Sequence, residues 1–398
     1  MQLTENVKFI INRLNEKGFR ADVVGGPVRD FLRGVTPDDY DVTTDASPQE
    51  IKEAFSDKRT VDTGIKHGTV TVVIDKEPYE ITTYRIDGEY RDSRHPESVE
   101  FTRDISLDLS RRDFTVNAIA YNERDGYTDL FSGISDIENK ILRAVGDAEK
   151  RFSEDALRIL RLVRFAATLG FSVEEKTHAA AFSQMHLLRQ ISAERIYTEW
   201  KKMLSGRNAY DVLLKYREIF EFVIPEISGF SLPDRDLFLS SDYESRFFSL
   251  FVKNGVGFSE LFLKASSNLK TDSQIKNTGI LLLSSIGKYD FSNGNLLVPL
   301  MELGFDSALA LSRLEILIGR APVGCDIKII EISESGAVYK LSDLAVNGKD
   351  VESIGVVGKE IGVTLKALLS AVVFGRCKNE KDELLSLAKN IVRVTKST

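Results

Sequence analysis

The sequence is poor in the residues on which several classes of protein depend. Its 398 residues include two cysteines and four histidines. They therefore supply no disulfide framework and no spacing typical of a zinc site. The two cysteines, Cys325 and Cys377, are too few to staple a small secreted domain. These shortages exclude disulfide-rich scaffolds and zinc modules.

Long apolar runs are also missing. The longest, such as residues 367–374, fall far short of the roughly 18 residues that a membrane-spanning helix needs. Met1 is followed by polar and charged residues instead of the apolar core of a signal peptide. We therefore expect a cytoplasmic protein that does not contact a membrane. The formal net charge of −7 argues mildly against a generic nucleic-acid binder.

The most informative segment is a strand-like run at residues 21–24 that ends in Gly25 and Gly26. A helix-like run follows at residues 28–33. Backbone N–H groups and the start of a helix then lie where a phosphate can bind. A plain tight turn is the commoner reason for two glycines before a helix. The segment alone therefore leaves both interpretations open.

Two aspartates, Asp39 and Asp41, follow a little further along the chain. If residues 40–43 are extended, strand alternation places both carboxylates on the same face. Carboxylates in this arrangement hold hard cations such as Mg²⁺, usually together with the phosphates of a substrate. A solvated turn is the alternative, because Pro37 and Asp38 precede the pair. Taken together, the glycines and the aspartates indicate metal-dependent nucleotide chemistry.

A third carboxylate lies in a predicted hairpin. Residues 69–74 and 79–84 are rich in β-branched and aromatic residues, and residues 75–78 predict the turn between the two strands. Glu80 then falls inside the second strand, where a carboxylate is unfavourable unless it faces water or a cation. The order of glycine pair, short helix, two aspartates and third carboxylate resembles the head of the nucleotidyltransferase superfamily related to DNA polymerase β.

Further motifs make the resemblance specific. They read Arg-Arg-Asp-Phe-Thr-Val-Asn-Ala at residues 111–118, Glu-Asp-Ala-Leu-Arg-Ile-Leu-Arg at 154–161 and Ile-Ser-Ala-Glu-Arg at 191–195. With Gly-Gly-Pro-Val-Arg-Asp at 25–30, they resemble the class II tRNA nucleotidyltransferase and bacterial poly(A) polymerase family. Within that family, the chain is most similar to the bacterial CCA-adding enzymes. Beyond residue 210 the resemblance is looser, although residues 344–350 are similar to the family's tail.

The resemblance implies roles for individual residues. Asp39 and Asp41 match the ligands of Mg²⁺, with Glu80 assisting them. The nucleotide-binding positions of the family match Gly25, Gly26, Arg29, Arg112, Asp155, Arg158, Arg161 and Arg164. Asp92 and Arg94 lie in the segment that matches the family's flexible loop, which helps the switch from C to A addition. That loop is not shortened, which favours addition of the complete C-C-A. The implied partners are tRNA, gripped at its 3′ end and its acceptor and elbow regions, together with CTP and ATP; DNA is not implied.

The chemistry of the Asp155 segment can be argued from its residues. Ser153, Glu154 and Asp155 are typical of a helix start, so Asp155 and Arg158 are expected at i, i+3 on one helix face. A local salt bridge is the ordinary interpretation of such a pair. As a template, the carboxylate accepts and the guanidinium donates, which matches the amino group and ring nitrogen of cytosine and adenine. Uracil and guanine present the opposite pattern and would be rejected. Arg164 is expected on roughly the opposite side of that helix from Asp155.

The fold class that we predict is α+β. Strand patterns end near residue 145, helical periodicity dominates afterwards, and the chain is too long for one compact core. We expect a polymerase-β-like nucleotidyltransferase head, with a small sheet and helices, followed by helical modules. The predicted modules are a catalytic head at 1–145, a neck with the nucleotide-templating helix at 146–210, a body at 211–325 and a tRNA-binding tail at 326–398.

Other functions remain open from the sequence. A CC-adding enzyme, an A-adding enzyme and a poly(A) polymerase share nearly all of these motifs. From another class, the chain would be a tRNA-binding module without catalysis, but the intact Asp39, Asp41 and Glu80 argue against that. A sugar-nucleotide transferase with an Asp-x-Asp motif would not explain Asp155 and Arg158.

Overall fold

The computed structural model describes residues 1–37, 39–88 and 99–396. The chain divides into two compact units, Met1–Val223 and Ile224–Thr398. The first unit combines a sheet with helices, and the described part of the second is almost entirely helical. The predicted α+β class is therefore confirmed. The divisions expected at residues 145, 210 and 325 stay predictions.

The described strands of the first unit form one large sheet and two small ones. They are β1 (Ala21–Val24), β2 (Val42–Thr44), β3 (Arg59–Gly64), β4 (Thr69–Ile74), β5 (Glu77–Thr83), β6 (Arg85–Asp87), β7 (Val99–Phe101), β8 (Ile119–Asn122), β9 (Gly126–Asp129), β10 (Ile141–Leu142) and β11 (Ser172–Val173). The large sheet has the order β3-β4-β5-β2-β1-β8-β9, while β6 pairs with β7 and β10 with β11. Strand β2 is parallel to β5 and antiparallel to β1.

The predicted hairpin is present as β4 and β5. Asp75 and Lys76 have φ values of 52° and 71°, which is typical of a two-residue turn of type I′. The turn is therefore shorter than the four residues expected, and Glu77 and Pro78 already belong to β5. The antiparallel register places Glu80 opposite Thr71.

Helices surround the sheet and continue beyond it. They are α1 (Glu5–Glu16), α2 (Gly26–Leu32), α3 (Pro48–Ala54), α4 (Ile105–Ser110), α5 (Gly133–Glu138), α6 (Ala148–Glu154), α7 (Leu157–Leu169), α8 (Glu175–Ser183), α9 (Ala193–Leu204), α10 (Ala209–Lys215) and α11 (Arg217–Val223). Local chemistry sets several ends: Ser47 and Glu50 form a capping box at α3. Helix α7 ends at Gly170, whose left-handed backbone favours glycine.

The central strand β1 is buried along its whole length. Asp22, in this strand, is fully buried and accepts hydrogen bonds from Tyr84 Oη at 2.7 Å, Asn122 Nδ2 at 2.6 Å and Arg20 Nε at 2.9 Å. A buried carboxylate with this many donors is satisfied without a ligand. The sheet is therefore held firmly at one end of β1, and the other end leads into Gly25.

The second unit is built from helices and one small hairpin. Its described elements are β12 (Val252–Lys253), β13 (Val256–Gly257), α12 (Arg235–Ser240), α13 (Tyr243–Ser249), α14 (Ser259–Asn268), α15 (Ser273–Ser285), α16 (Leu297–Leu303), α17 (Phe305–Leu317), α18 (Cys325–Glu334), α19 (Gly348–Glu352), α20 (Lys359–Val373) and α21 (Lys381–Lys396). Phe262 packs edge-on against Phe247, Phe248 and Phe251, with ring centres 5.2–5.6 Å apart. In the described ranges, no helix has both the length and the apolar character needed to cross a membrane.

Candidate active site

A glycine turn after β1 brings an arginine close to the backbone. Gly25 has φ 80° and ψ −127°, a conformation that residues with side chains rarely adopt. A Cβ on Gly25 would lie 3.0 Å from Nη1 of Arg112, so glycine leaves room for that guanidinium. The Gly25 amide donates to the carbonyl oxygen of Ile119 at 3.1 Å. This amide is therefore used within the sheet, and Arg112, whose Nη2 also pairs with Asp108 Oδ2 at 3.3 Å, places a guanidinium against the turn.

We expect Gly25→Ala to lower the free energy of unfolding by about 1–3 kcal/mol, because alanine would be strained at this φ and would press against Arg112. The control is the same change in an Arg112→Ala background, which keeps the strained backbone but removes the guanidinium that lies 3.0 Å from the added Cβ. Urea unfolding measures the loss in both backgrounds, and equal losses would contradict the importance of the Arg112 contact.

The three predicted carboxylates lie in the region where the neighbouring strands β2 and β5 begin. Val42 and Ile81 are opposite each other in the parallel register. Asp41 and Glu80, each one residue earlier, therefore project to the same face. Strand β2 begins only at Val42, but the carbonyl oxygen of Asp41 already accepts a hydrogen bond from the amide of Val24 at 3.0 Å. The extended segment predicted for residues 40–43 is therefore realised from Asp41 onward.

Neighbouring charges affect the titration of Asp41. Partial desolvation raises the pKa of Asp41 above its ordinary value, and the negative charges of Asp39 and Glu80 raise this pKa further. The positive charge of Arg112 acts in the opposite direction. A cation bound between the carboxylates would relieve this repulsion.

Asp39, Asp41 and Glu80 line one open cavity of about 590 Å³, together with polar and aromatic side chains that include Thr71 and Tyr79. Among the residues that the structure describes, no three His, Cys, Asp or Glu side chains stand close enough together to enclose a metal ion on their own. Mg²⁺ does not require such a cage, since it is usually bound by one or two carboxylates plus substrate phosphates and water. The donor set therefore fits Mg²⁺ that arrives with a nucleotide.

The helix that carries the predicted base-reading residues begins later than expected. Helix α6 ends at Glu154, Asp155 is extended with φ −139° and ψ 102°, and α7 begins at Leu157. The prediction that Ser153, Glu154 and Asp155 open a helix is therefore wrong. Asp155 Oδ1 accepts a hydrogen bond from the Leu157 amide at 3.0 Å, so Asp155 satisfies a backbone group at the start of α7 as a capping residue does.

The backbone amide of Arg158 donates to the carbonyl oxygen of Asp155 at 3.0 Å, while the two side chains are each fixed by other residues. Asp155 Oδ2 accepts from Arg195 Nη2 at 2.8 Å. Arg158, which is 8% exposed, donates from Nη1 to Glu154 Oε2 at 2.8 Å and from Nη2 to the carbonyl oxygen of Arg111 at 2.8 Å. Arg195 belongs to the Ile-Ser-Ala-Glu-Arg motif, so that motif orients the carboxylate. These contacts hold in place a negative group that only accepts hydrogen bonds, the Asp155 carboxylate, and a positive group that only donates them, the Arg158 guanidinium.

A chain of hydrogen bonds connects three of the sequence motifs. Arg29 Nη1 donates to Asn117 Oδ1 at 2.6 Å, and Asn117 Nδ2 donates to Asp113 Oδ1 at 3.0 Å. Arg161 Nε donates to the other oxygen of Asp113 at 2.7 Å. Burial alone would raise the pKa of Asp113, but the charge of Arg161 and the hydrogen bond from Asn117 outweigh it and hold this pKa far below its usual value. Asp113 is therefore ionised and anchors Arg161.

We expect Asp113→Asn to lower the free energy of unfolding at pH 7 by about 3–5 kcal/mol, because it leaves the Arg161 charge without its buried partner. The native pKa of Asp113 lies below its unfolded value of about 4. Its stabilisation is therefore complete above that pH and is lost as the pH falls through the native pKa. The difference from wild type should be constant between neutral pH and about pH 5 and shrink below about pH 4.

Denaturant unfolding at several pH values measures this difference. Asp57→Asn is the control, because Asp57 also pairs with an arginine, Arg13, but its side chain is 53% exposed. The loss of stability there should be smaller, since an ion pair exposed to water contributes little. A stability difference between Asp113→Asn and wild type that grows below pH 4 would contradict the conclusion that Asp113 is ionised in the folded protein.

Arg164 joins Arg29 and Arg161 and lies apart from Asp155. Its Nε lies 2.8 Å from Glu199 Oε2, an ion pair between α7 and α9. Burial lowers the pKa of Arg164 to about 10, and the nearby positive charges of Arg161 and Arg29 contribute in the same direction. Arg29, Arg161 and Arg164 therefore form one cluster of positive charge, which an anionic ligand would stabilise.

Three further residues belong to the site although the motifs assign them no role. Asp113 and Asn117 lie inside the Arg-Arg-Asp motif, and Glu199 lies in α9. The position of Asp113 directly after Arg112 was the available signal. Glu199 stands in an ordinary helical stretch and offers no signal of its own.

The predicted loop residues Asp92 and Arg94 lie outside the described residues. The strands on either side, β6 and β7, pair antiparallel, with Arg85 opposite Phe101. The role assigned to the loop stays a prediction.

Two known family models match this chain, one over the residues of the sheet and one over helices that follow it. The family model described as "Poly A polymerase head domain" matches residues 21–143. A second model, described as "Probable RNA and SrmB- binding site of polymerase A", matches residues 170–230.

Individual relatives cover nearly the whole chain. The CCA-adding enzyme of Lactococcus lactis subsp. cremoris (strain MG1363) is 37% identical over 404 residues, which cover 97% of this chain and 96% of that protein. The CCA-adding enzyme of Geobacillus stearothermophilus is 37% identical over 389 residues, with 94% of each chain covered.

Solved structures of CCA-adding enzymes also match nearly the whole length of the chain. That of the Bacillus stearothermophilus CCA-adding enzyme in complex with CTP matches with a TM-score of 0.81 at 31% identity and covers 99% of this chain and 100% of that one. The Thermotoga maritima CCA-adding enzyme complexed with tRNA matches with a TM-score of 0.69 at 19% identity, over 98% and 96% of the two chains. The second likeness is one of fold.

Proposed function

Because the chain belongs to the CCA-adding enzymes, we propose that it adds C, C and A to the 3′ end of tRNA, using CTP and ATP. The observation that carries this proposal is the combination of two sites in one unit. Asp39, Asp41 and Glu80 share one cavity, and Arg112 contributes positive charge beside Asp41. Carboxylates for metal ions beside arginines for a triphosphate are the requirements of nucleotidyl transfer.

In this proposal Asp39 and Asp41 hold Mg²⁺. When bound, Mg²⁺ would stabilise the charge of the triphosphate and of the pyrophosphate leaving group and favour ionisation of the attacking hydroxyl. The terminal 3′ oxygen of tRNA forms a bond to the α-phosphorus, while the bond to pyrophosphate breaks in line with it. Glu80, beside Asp41, would accept the proton of the hydroxyl or orient the ions. The contribution of the protein is then mainly positioning and charge stabilisation.

The base is proposed to be chosen by Asp155 and Arg158. An ionised carboxylate has about four lone-pair sites and a guanidinium has five N–H donors, so the contacts that fix them leave capacity for a ligand. Asp155 would accept from the amino group of cytosine or adenine, and Arg158 would donate to the neighbouring ring nitrogen. Uracil and guanine would place a carbonyl acceptor against the carboxylate and an N–H donor against the guanidinium. Such mismatches discriminate strongly in a site that binds its ligand by hydrogen bonds.

The positive cluster would bind the phosphates. Arg161 and Arg29 lie close enough to Arg164 to lower its pKa, and Arg112 lies at the glycine turn. Guanidinium groups match phosphate oxygens in both charge and geometry. In this proposal the phosphates bind at Arg29, Arg161 and Arg164, and the base binds at Asp155. The two ends of the nucleotide therefore contact different residues around α7.

The complete C-C-A product is proposed from the full length of the loop that contains Asp92 and Arg94. A CC-adding enzyme, an A-adding enzyme and a poly(A) polymerase share the described geometry and are distinguished by their products. We also propose that the tail grips the tRNA elbow, since Lys349 and Lys359 are exposed there.

The test uses three tRNA transcripts, ending at the discriminator base, at C or at C-C, each with Mg²⁺ and labelled CTP or ATP. We expect all three to be completed to C-C-A and extended no further. Stopping at C-C, or extension of only the C-C transcript, would replace the proposal with CC or A addition. Long A tracts would indicate a poly(A) polymerase, and binding without incorporation would indicate a non-catalytic tRNA-binding module.

A further inference from the structure

One aromatic ring contacts three arginines at once. The Cζ atoms of Arg164, Arg29 and Arg161 lie 4.0, 5.2 and 5.4 Å from the centre of the Phe165 ring. All three are within the roughly 6 Å over which a guanidinium is attracted to an aromatic face. Arg161 and Arg164 belong to α7, whereas Arg29 belongs to α2. The ring therefore connects the helix after the glycine turn with the helix after Asp155.

Among the described residues, the three guanidinium groups share no ion-pair partner. Each guanidinium has its own carboxylate partner, and the three partners lie on three different segments. The pairs are Arg29 with Asp30, Arg161 with Asp113 and Arg164 with Glu199. Three like charges this close repel one another, and no single carboxylate holds the set together. Phe165 is the group that all three arginines share.

The ring is itself held in place. Phe165 is 6% exposed and Phe114 is fully buried. The two rings meet edge to face, with centres 5.8 Å apart and planes at 87°, an arrangement that aromatic pairs favour. Phe114 belongs to the Arg-Arg-Asp motif, so the orientation of Phe165 is set by a third segment of the site.

We propose that Phe165 is a positioning residue that holds Arg29, Arg161 and Arg164 as one binding surface for the triphosphate of the incoming nucleotide. This inference rests on the proposed function, because it takes these arginines to bind CTP and ATP. An aromatic face attracts a guanidinium without occupying its N–H donors. The ring therefore leaves for phosphate oxygens the N–H donors that Asp30, Asn117, Asp113 and Glu199 do not already occupy. A further carboxylate in the place of Phe165 would occupy more of them.

The proposal separates affinity from base selection. Phe165 acts at the phosphate end, which CTP, ATP and UTP share, whereas Asp155 and Arg158 act on the base. Weakening the attraction between the Phe165 ring and the arginines should therefore lower the affinities for CTP and ATP by the same factor. The preference for CTP over UTP and the KM for tRNA should stay unchanged.

The experiment measures the Kd of CTP and ATP by calorimetry, which does not depend on turnover. Phe165→Leu keeps an apolar side chain but removes the aromatic face, and we expect a rise in both Kd values of about tenfold or more. Progressively fluorinated phenylalanines at position 165 keep the shape of the ring while weakening its face. Each added fluorine should raise the Kd further. Phe171→Leu is the control, since Phe171 is also buried but contacts only Arg33 among the described cation–ring pairs.

Each outcome decides the proposal. A graded rise in Kd along the fluorinated series, with base preference and tRNA KM unchanged, supports it. Kd values that do not respond to fluorination, or that change no more in Phe165→Leu than in Phe171→Leu, overturn it and leave a packing role. If the wild-type protein binds CTP but does not incorporate it, the proposed function is overturned, and the Kd comparison still decides the role of Phe165. Wild type that binds no CTP would overturn both.

Discussion

Asp39→Ala and Asp41→Ala should each reduce nucleotide incorporation by at least about a thousandfold on every tRNA primer, because several kcal/mol of transition-state stabilisation depend on the bound metal. Both carboxylates line the cavity that also contains Glu80. The loss should appear in kcat, since binding of the base and the phosphates uses other residues. Single-turnover incorporation of labelled CTP measures it directly.

Glu77→Ala provides the matched control for these variants. Glu77 lines the same cavity, but its carboxylate accepts a hydrogen bond from the hydroxyl of Tyr79 at 2.8 Å. Removing it changes the charge of the cavity by the same amount without removing a proposed ligand. Turnover should stay within about tenfold of wild type. Substantial incorporation by Asp39→Ala or Asp41→Ala would refute the metal assignment.

Asp155→Asn should reduce the preference for CTP over UTP, and for ATP over GTP, by about a hundredfold or more. The new amide can donate a hydrogen bond where the carboxylate only accepts, so the carbonyl groups of uracil and guanine are no longer repelled. An amide oxygen can still accept from the Leu157 backbone, as Asp155 Oδ1 does at 3.0 Å. The start of α7 is therefore preserved, but the amide NH2 then faces the Arg195 donor that Asp155 Oδ2 accepts from at 2.8 Å. The thermal unfolding midpoint of the variant, measured beside its specificity, separates the two effects.

Asp147→Asn is the control for that variant. Asp147 Oδ1 accepts from the amides of Glu149 and Lys150 at the start of α6, so it caps a neighbouring helix but has no proposed contact with the base. Its nucleotide preference should equal that of wild type. Steady-state kcat/KM values for the four nucleoside triphosphates provide the comparison. An unchanged preference in Asp155→Asn would exclude Asp155 as the base-reading group.

Local features of the site follow from the sequence because they depend on neighbouring residues. The turn at Gly25 needs a backbone conformation that glycine allows. The hairpin that carries Glu80 follows from two β-rich runs around a short turn. The shared face of Asp41 and Glu80 is a consequence of strand pleating once β2 and β5 pair in parallel. Motif order supplied the rest, because it indicated which distant segments belong to one site.

Other features depend on contacts that no local pattern encodes. The break between α6 and α7 was missed because the acidic residues that open helices also serve as caps after a break, and Asp155 does the latter. The link from Arg29 through Asn117 to Asp113 joins residues far apart in the chain. Helix periodicity placed Arg164 away from Asp155, but could not indicate the ion pair with Glu199 that fixes it.

The most direct test of the account is the sequence of the product. tRNA that lacks its terminal C-C-A is incubated with the enzyme, Mg²⁺ and all four nucleoside triphosphates together, and the new 3′ ends are then sequenced. The account predicts ends that read C-C-A and stop there, because residues of the protein select the base and no nucleic acid template is present. Ends that contain U or G as often as C or A, or that continue as A tracts, would contradict it.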